Sequence, residues 1–396
     1  MMTSTDLPFF WTGPEMAYLA MLQKVFSAES LEGCFNQKME EEVTNALGAE
    51  KGERTENRKG HRAGYRVRIL YTRVGPIELK IPKVKFKDKD AEWYPSFLDP
   101  RQKISAGMAE EIVSMYINGV PVKKIVKIIE RLYGITLSPG TISNLNKKYY
   151  KIVEAWRTRA INGDKWTFLH VDAIYIFCRR NGKVQKTPYF IAQGRDEQGK
   201  WDILGLKEGT AEDRENWVDF LEHLRERGLS DVHMIIGDGK TDLRPAAWQV
   251  FPKARFQHCI VHHHRNVYLS VDGKRRAETA ELVKTIYDCQ NWEEAMATAR
   301  QVVKTLRSDG REAAAKKVEA HLHATLSYMA WEDPELWPMI RSNNLLERLN
   351  LEVKRRTDVS VLFPNVVSAR MLIGARLFQM ARKPDLVPAE DEVEVA

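Results

Sequence analysis

His170-Val171-Asp172-Ala173-Ile174-Tyr175-Ile176-Phe177 is a β-branched and aromatic run with one carboxylate near its start. Val, Ile, Tyr and Phe favour extended chain, so the run reads as a buried strand carrying a single charge. Asn181-Gly182, the strongest short hairpin signal, follows Arg179 and Arg180, and a second apolar run from Thr187 to Gln193 completes a hairpin. The turn Asp196-Glu197-Gln198-Gly199 then leads into a third strand, Trp201 to Leu206. An unpaired buried charge costs several kcal/mol. Asp172 is therefore expected at the accessible end of its strand, paired with an arginine such as Arg179 or Arg195, or bound to a cation.

Working outward, Glu212 to Arg227 has the spacing of an amphipathic helix with Trp217, Phe220, Leu221 and Leu224 inward. Asp231-Val232-His233-Met234-Ile235-Ile236-Gly237-Asp238-Gly239 is a strand ending on a carboxylate beside glycine. A helix from Arg244 to Val250 and a strand from Ala254 to Cys259 follow. The order β-β-β-α-β-α-β predicts an α/β fold with an RNase H-like core, a mixed sheet flanked by helices. In that order the first and fourth strands lie side by side, and Asp172 faces Asp238. From Lys274 to Pro338 the pattern is helical and charged, which predicts an all-α insertion. The last strong helix carries Leu345, Leu346, Leu349 and Val353 on one face, with Glu347, Asn350 and Lys354 as a polar stripe beside it.

The first part of the chain differs in charge. Of 396 residues with formal net charge +7, residues 51–150 hold 21 Lys and Arg against 10 Asp and Glu, whereas residues 1–50 hold 2 against 8. A basic block of that size predicts a polyanionic partner, because neutralising phosphates releases counterions. Residues 14–49 read as one or two helices. The stretch from Glu50 to Arg68, with Arg58, Lys59, Arg62 and Arg66, reads as flexible until it meets DNA, and short strands follow at Val67–Tyr71 and Ile77–Ile81. Further on, a helix through Ile125, Ile128, Ile129 and Leu132 ends at Gly134, and Ser138-Pro139 opens a second helix. This is the outline of a helix-turn-helix whose second helix exposes Ser143, Asn144, Lys147 and Lys148 to bases and phosphates.

Two strand carboxylates and a helical one suit a pair of divalent ions in phosphodiester chemistry, and oxygen ligands favour Mg²⁺ or Mn²⁺. Other roles compete. Asp238 before Gly239 suits a turn, Glu347 suits the third position of a helix capped by Asn344, and Asp242 is a rival ligand. The cysteines Cys34, Cys178, Cys259 and Cys289 have no CxxC spacing, which fits a reducing compartment. No stretch approaches the roughly twenty apolar residues that span a bilayer, so a cytoplasmic, nucleoid-associated protein is expected.

Several short pieces, in order, resemble the Mutator/IS256 family of transposases. They are Arg58-Lys59-Gly60-His61-Arg62-Ala63-Gly64-Tyr65-Arg66; Pro82-Lys83; Val171-Asp172-Ala173; Gly237-Asp238-Gly239; Gln257-His258-Cys259-Ile260-Val261-His262 with Arg265-Asn266; Asn344-Leu345-Leu346-Glu347-Arg348-Leu349-Asn350; and Lys354-Arg355-Arg356 with Phe363-Pro364-Asn365. The resemblance implies that Asp172, Asp238 and Glu347 are a catalytic DDE triad holding two Mg²⁺ or Mn²⁺ ions, Asp172 bridging both. It also implies a bacterial enzyme, at least dimeric on DNA, that binds the terminal inverted repeats of an insertion sequence, cuts at its ends and transfers the 3′-hydroxyls into target DNA. Cys259 and His262 match the family's C-x-x-H motif and are expected, with Arg265 and Asn350, to support the site. Two soft ligands are too few for structural zinc, although His258, His263 and His264 stand nearby. Lys354, Arg355 and Arg356 complete the expected DNA contacts.

The expected organisation is a helical segment at 1–50, a basic and partly β region at 51–107, the helix-turn-helix at 108–160, the catalytic core at 165–273 and 339–383 around the insertion at 274–338, and a disordered acidic tail at 384–396. The competing functions are a non-catalytic DNA-binding protein on an inert scaffold and a nuclease that only hydrolyses.

Overall fold

A computed structural model describes residues 27–161, 165–239, 242–360 and 362–381. The expected acidic tail and the start of the first helical segment lie outside these residues. The chain divides between Ile152 and Val153 into two compact units.

The first unit begins with α1 (Ala28–Leu47), where the Ser27 hydroxyl accepts the Ser30 N–H and Gly48 ends the helix at φ 65°. Leu31, Phe35, Met39, Val43 and Leu47, four residues apart, form one buried stripe. It packs on the antiparallel hairpin β1 (Gly60–Thr72) and β2 (Gly75–Phe86) through Leu70, Ile77, Leu79 and Ile81. Residues 60–68, expected to be flexible, are instead strand. Tyr65, Val67 and Ile69 point to solvent, and β2 supplies the pairing. Three helices follow: α2 (Ala106–Ile117), α3 (Val122–Tyr133) and α4 (Pro139–Arg157). Met108, Ile112, Ile125, Ile129, Leu137 and Ile142 pack between them. Gly134 terminates α3 at φ 65°, and Ser138 Oγ accepts the Thr141 N–H at the start of α4.

The second unit is built on a five-stranded mixed sheet of order β5-β4-β3-β6-β7. Its strands are β3 (Trp166–Arg180), β4 (Lys183–Asp196), β5 (Trp201–Glu208), β6 (Val232–Gly237) and β7 (Arg255–His258). Asn181 and Gly182, both at positive φ, form the turn between β3 and β4. β3 pairs antiparallel with β4 and parallel with β6, and β6 pairs parallel with β7.

Alternation along the strands separates two cores. Leu169, Val171, Ile235 and Phe256 meet α5 (Arg214–Glu226) and α6 (Leu243–Val250) on one face. Phe168, Met234 and Ile236 face the other, against α7 (Ile260–Tyr268), α8 (Arg276–Lys284), α9 (Trp292–Ser308), α10 (Glu312–Thr325) and α11 (Trp337–Ile340). The chain returns in α12 (Asn344–Thr357), which packs against β3, and α13 (Val366–Ala381), which packs against β3 and β5. Between them Phe363 exchanges backbone hydrogen bonds with Phe177 and Arg179 on β3. Among the described residues no helix is long and apolar enough to cross a membrane.

Candidate active site

The parallel register of β3 and β6 aligns His170 with Ile236. Two residues further along the chain from each come Asp172, which lies in the middle of β3 and not at the accessible end of its strand, and Asp238, just past the end of β6; alternation puts Asp172 on the face of Phe168 and His170. Gly237 lies against Val171, whose carbonyl would be 3.2 Å from an added Cβ. β7 ends one strand over, where the Cys259 N–H donates to the Gly237 carbonyl at 2.9 Å. Three adjacent strands thus carry Asp172, Asp238 and Cys259, the last two just past the ends of β6 and β7.

α12 reaches these strands by the side of its first two turns. Leu346, Leu349 and Val353 are buried, which turns Glu347 and Asn350, three apart, toward them. Asn350 Nδ2 donates to Asp172 Oδ2 at 2.7 Å, and Glu347 Oε1 lies 3.5 Å from His262 Nε2. Neither Arg179 nor Arg195 pairs with Asp172 among the described residues. Burial, reinforced by Glu347 and by Glu212, pushes the Asp172 carboxyl up to about 6, although the Ala173 N–H and His262 act the other way. Glu212, which accepts the Tyr175 hydroxyl proton, was missed in the sequence because it reads only as the start of a helix.

Asn343 was missed as well. Its Nδ2 donates to the Val171 carbonyl at 2.9 Å, its Oδ1 faces His170 Nδ1 at 3.1 Å, and its backbone N–H donates to Cys259 Sγ at 3.2 Å. One buried residue therefore fastens the start of α12 to β3 through its side-chain amide and to the end of β7 through its backbone N–H. Because that side chain points inward, it makes no capping bond; Asn343, not Asn344, is the N-cap residue. Burial holds His170 neutral, at about 4, and raises the Cys259 thiol to about 12.

Asp238 Oδ1 lies 3.8 Å from His258 Nε2. Burial, with His263 and His321 nearby, pushes His258 down to about 2, so this contact joins a carboxylate to a neutral ring and is no ion pair. The chain leaving Asp238 passes directly over that ring: a Cβ on Gly239 would sit 2.2 Å from His258 Nδ1. Gly239→Ala is therefore expected to destabilise the unit by about 1–3 kcal/mol through overpacking and to displace Asp238. Thermal unfolding and divalent-ion binding would check both effects, and an unchanged melting temperature would refute the close approach. Asp242, at the N-terminus of α6, lines a cavity of about 560 Å³ with Glu212, His258 and His321.

Arg265 is exposed on α7, away from these contacts. Of the expected nucleic-acid contacts, Ser143, Asn144, Lys147 and Lys148 are exposed on α4, as are Lys59, Arg66, Lys354 and Arg355 elsewhere. Three others are engaged within the fold. Arg58 donates to the carbonyls of Glu53 and Gly60, Arg62 donates to Thr44 and Glu40 on α1, and Arg356 is buried.

The donor set can be tested for metals on its chemistry. Among the described residues, the group whose ligand atoms all lie within 4.8 Å of one another is Cys259, His262 and Glu347. The Asp172 carboxylate lies near its His262 and Glu347 members. A buried carboxylate with a raised pKa next to two more carboxylates is an anionic site that a cation would relieve, so the residues fit divalent ions.

The sequence matches the family described as "Transposase, Mutator family" over residues 16–383. It is similar to the transposase for insertion sequence element IS256 in transposon Tn4001 of Staphylococcus aureus, 30% identical over 347 residues and covering 87% of each chain. The transposase for IS1081 of Mycobacterium tuberculosis is 32% identical over 336 residues, covering 85% of this chain and 80% of the relative. The transposase for IS406 of Burkholderia multivorans is 30% identical over 372 residues, covering 92% and 94%. With a family match that runs through the strand carboxylates, their helical partner Glu347 and almost all the rest of the sequence, this chain belongs to the Mutator family of transposases.

Proposed function

We propose that the protein is a DNA transposase with an RNase H-like core, which binds the terminal inverted repeats of an insertion sequence, cleaves at its ends and joins the 3′-hydroxyls to target DNA. The observation that carries this is the parallel pairing of β3 and β6, which puts Asp172 and Asp238 on adjacent strands, with Glu347 on α12 near enough to Asp172 to help push its carboxyl up.

Asp172, Asp238 and Glu347 would hold two Mg²⁺ or Mn²⁺ ions. Bound ions of this kind activate a water or hydroxyl and stabilise the leaving oxygen in phosphodiester exchange. The chain's own residues set the geometry. Asn350 holds the Asp172 carboxylate by a 2.7 Å hydrogen bond to one of its oxygens. Asn343 fixes the start of α12, and so the approach of Glu347, against β3. His258, kept neutral by burial, adds no positive charge beside Asp238.

The first unit supplies a DNA-binding surface on this reading. α3 and α4 form the helix-turn-helix, and Asn144 and Lys148 border a surface cavity of about 270 Å³ together with Arg101 and Lys103. Replacing both Lys147 and Lys148 by alanine is expected to weaken binding to all sequences alike and to lower the salt dependence, log K against log salt, by about 2. Titrations of duplex DNA at several salt concentrations would check this; an unchanged slope would remove both lysines from the interface.

The test of the whole reading is cleavage and joining of labelled terminal-repeat duplex in Mg²⁺, followed on a sequencing gel and by capture on a target plasmid. The expected result is both reactions. Binding without cutting would leave a non-catalytic DNA-binding protein, and cutting without joining would leave a nuclease. Joining two ends at once calls for at least a dimer, and a complex with end DNA that sediments only as a monomer would refute that.

A further inference from the structure

Cys259 Sγ, a ring nitrogen of His262 and a carboxylate oxygen of Glu347 lie within 4.8 Å of one another. The first two come from the N-terminus of α7, where a spacing of three residues puts both side chains on one face. The third comes from the first turn of α12. Two further observations bear on the cluster. Glu347 Oε1 is buried and makes no hydrogen bond, and the Asn343 N–H is aimed at Cys259 Sγ at 3.2 Å, the kind of outer contact that steadies a metal-bound thiolate.

The ligand chemistry is distinctive. Mg²⁺ and Ca²⁺ take oxygen, whereas a sulfur, an imidazole nitrogen and a carboxylate together are a donor set for Zn²⁺ and its softer congeners. Bond lengths of about 2.0–2.3 Å in a tetrahedral site put ligand atoms about 3.5 Å apart, so modest side-chain shifts would close the group on one ion. Three protein ligands leave a fourth position for water.

We propose that Cys259, His262 and Glu347 form a binding site for a soft divalent cation of the Zn²⁺ class, separate in chemistry from the oxygen-only carboxylates beside it, and that occupation of this site withdraws Glu347 from Asp172 and Asp238. Binding is a substitution without redox change: the Cys259 thiol proton leaves to solvent and a sulfur–metal bond forms in its place. Zn²⁺ then opposes Mg²⁺ through a shared glutamate. The inhibitory half rests on the role proposed above for Glu347, and the binding half does not.

The binding half is tested on the reduced, metal-free full-length chain by titration with Cd²⁺, reading the ultraviolet thiolate-to-cadmium charge-transfer absorption. One equivalent is expected to saturate the band. Cys259→Ser should abolish it, whereas Cys34→Ser and Cys289→Ser should leave it intact. His262→Gln and Glu347→Gln should each weaken binding by at least the roughly 10–100-fold that follows loss of an outer-shell partner. His262 is only partly buried, so its variant decides the matter if Cys259→Ser fails to fold. A missing band in the wild type, or a band that survives Cys259→Ser, would overturn the site.

The inhibitory half is tested by adding Zn²⁺ to Mg²⁺-driven DNA cleavage. Inhibition is expected with the midpoint of direct Zn²⁺ binding, shifted at least about tenfold upward in His262→Gln. A saturable cadmium band with cleavage indifferent to Zn²⁺ would overturn the sharing of Glu347. A wild type that binds Cd²⁺ and never cuts DNA would overturn the transposase reading and, with it, the inhibitory half, leaving the metal site standing.

Discussion

Asp172→Asn should abolish strand cleavage and, at the same time, make the metal-free protein more stable at neutral pH. The loss follows from the role proposed for Asp172 as the shared ligand. Removing metal-held charge stabilisation of several kcal/mol reduces the rate by at least about 10³-fold. The gain follows from burial. The Asp172 carboxyl sits at about 6 in the fold against an ordinary value of 3.8, chiefly because it is desolvated, with Glu347 and Glu212 adding to the effect.

The sign of the pH dependence follows directly. Below about pH 4 Asp172 is protonated both folded and unfolded and costs nothing. As pH rises from about 4 to 6 the unfolded chain ionises first, and folding loses about 3 kcal/mol, a loss complete above the folded pKa. The asparagine keeps an acceptor for Asn350 and has no such loss. Denaturant unfolding of both proteins between pH 4 and 7.5, without divalent ions, should therefore show stabilities that diverge as pH rises. Adding Mg²⁺ should raise the melting temperature of the wild type and have little effect on the variant. Parallel pH profiles would show that Asp172 is not held as a buried anion.

Asn343→Ala is expected to be the most damaging substitution outside the carboxylates. It removes the partners of two buried groups at once, the Val171 carbonyl and His170 Nδ1. Leaving a buried polar group unpaired costs about 1–3 kcal/mol, which places the total for two groups near 2–6 kcal/mol. His170 cannot escape by ionising near neutrality, since burial holds it at about 4. Urea unfolding would measure the loss, and cleavage should fall further than stability alone accounts for, because Glu347 loses its anchored helix start. A cost below about 0.5 kcal/mol, the range of an ordinary surface change, would mean that the α12 start is held by other means.

The strands of the second unit were legible because their signals are local. Asn181-Gly182 takes positive φ at both residues, and the strand order followed from the succession of apolar runs. The adjacency of β3, which carries Asp172, and β6, which precedes Asp238, followed in turn from that order. What stayed hidden depends on partners far away in the chain. Residues 60–66 look unstructured because they are basic, contain Gly60 and Gly64 and are poor in apolar side chains, while the register that makes them strand comes from β2. Arg58, Arg62 and Arg356 read as DNA contacts because charge alone cannot reveal a carbonyl or hydroxyl waiting inside the fold. Asn344 reads as the cap, and Asn343 stays hidden because its partners are 172 and 84 residues away.

That separation carries a consequence for how the protein is made. The strand bearing Asp172 is synthesised long before Asn350, its hydrogen-bonded partner 178 residues later. At about 5–20 residues per second a ribosome needs roughly ten seconds or more to cover that interval. Throughout it the nascent chain carries the exposed lysines of α4 without Glu347. On the proposed reading, a polypeptide stopped short within the all-α region could occupy an element's ends but not cut them. Premature termination would then yield a competitor of the full-length protein rather than a weakened copy of it.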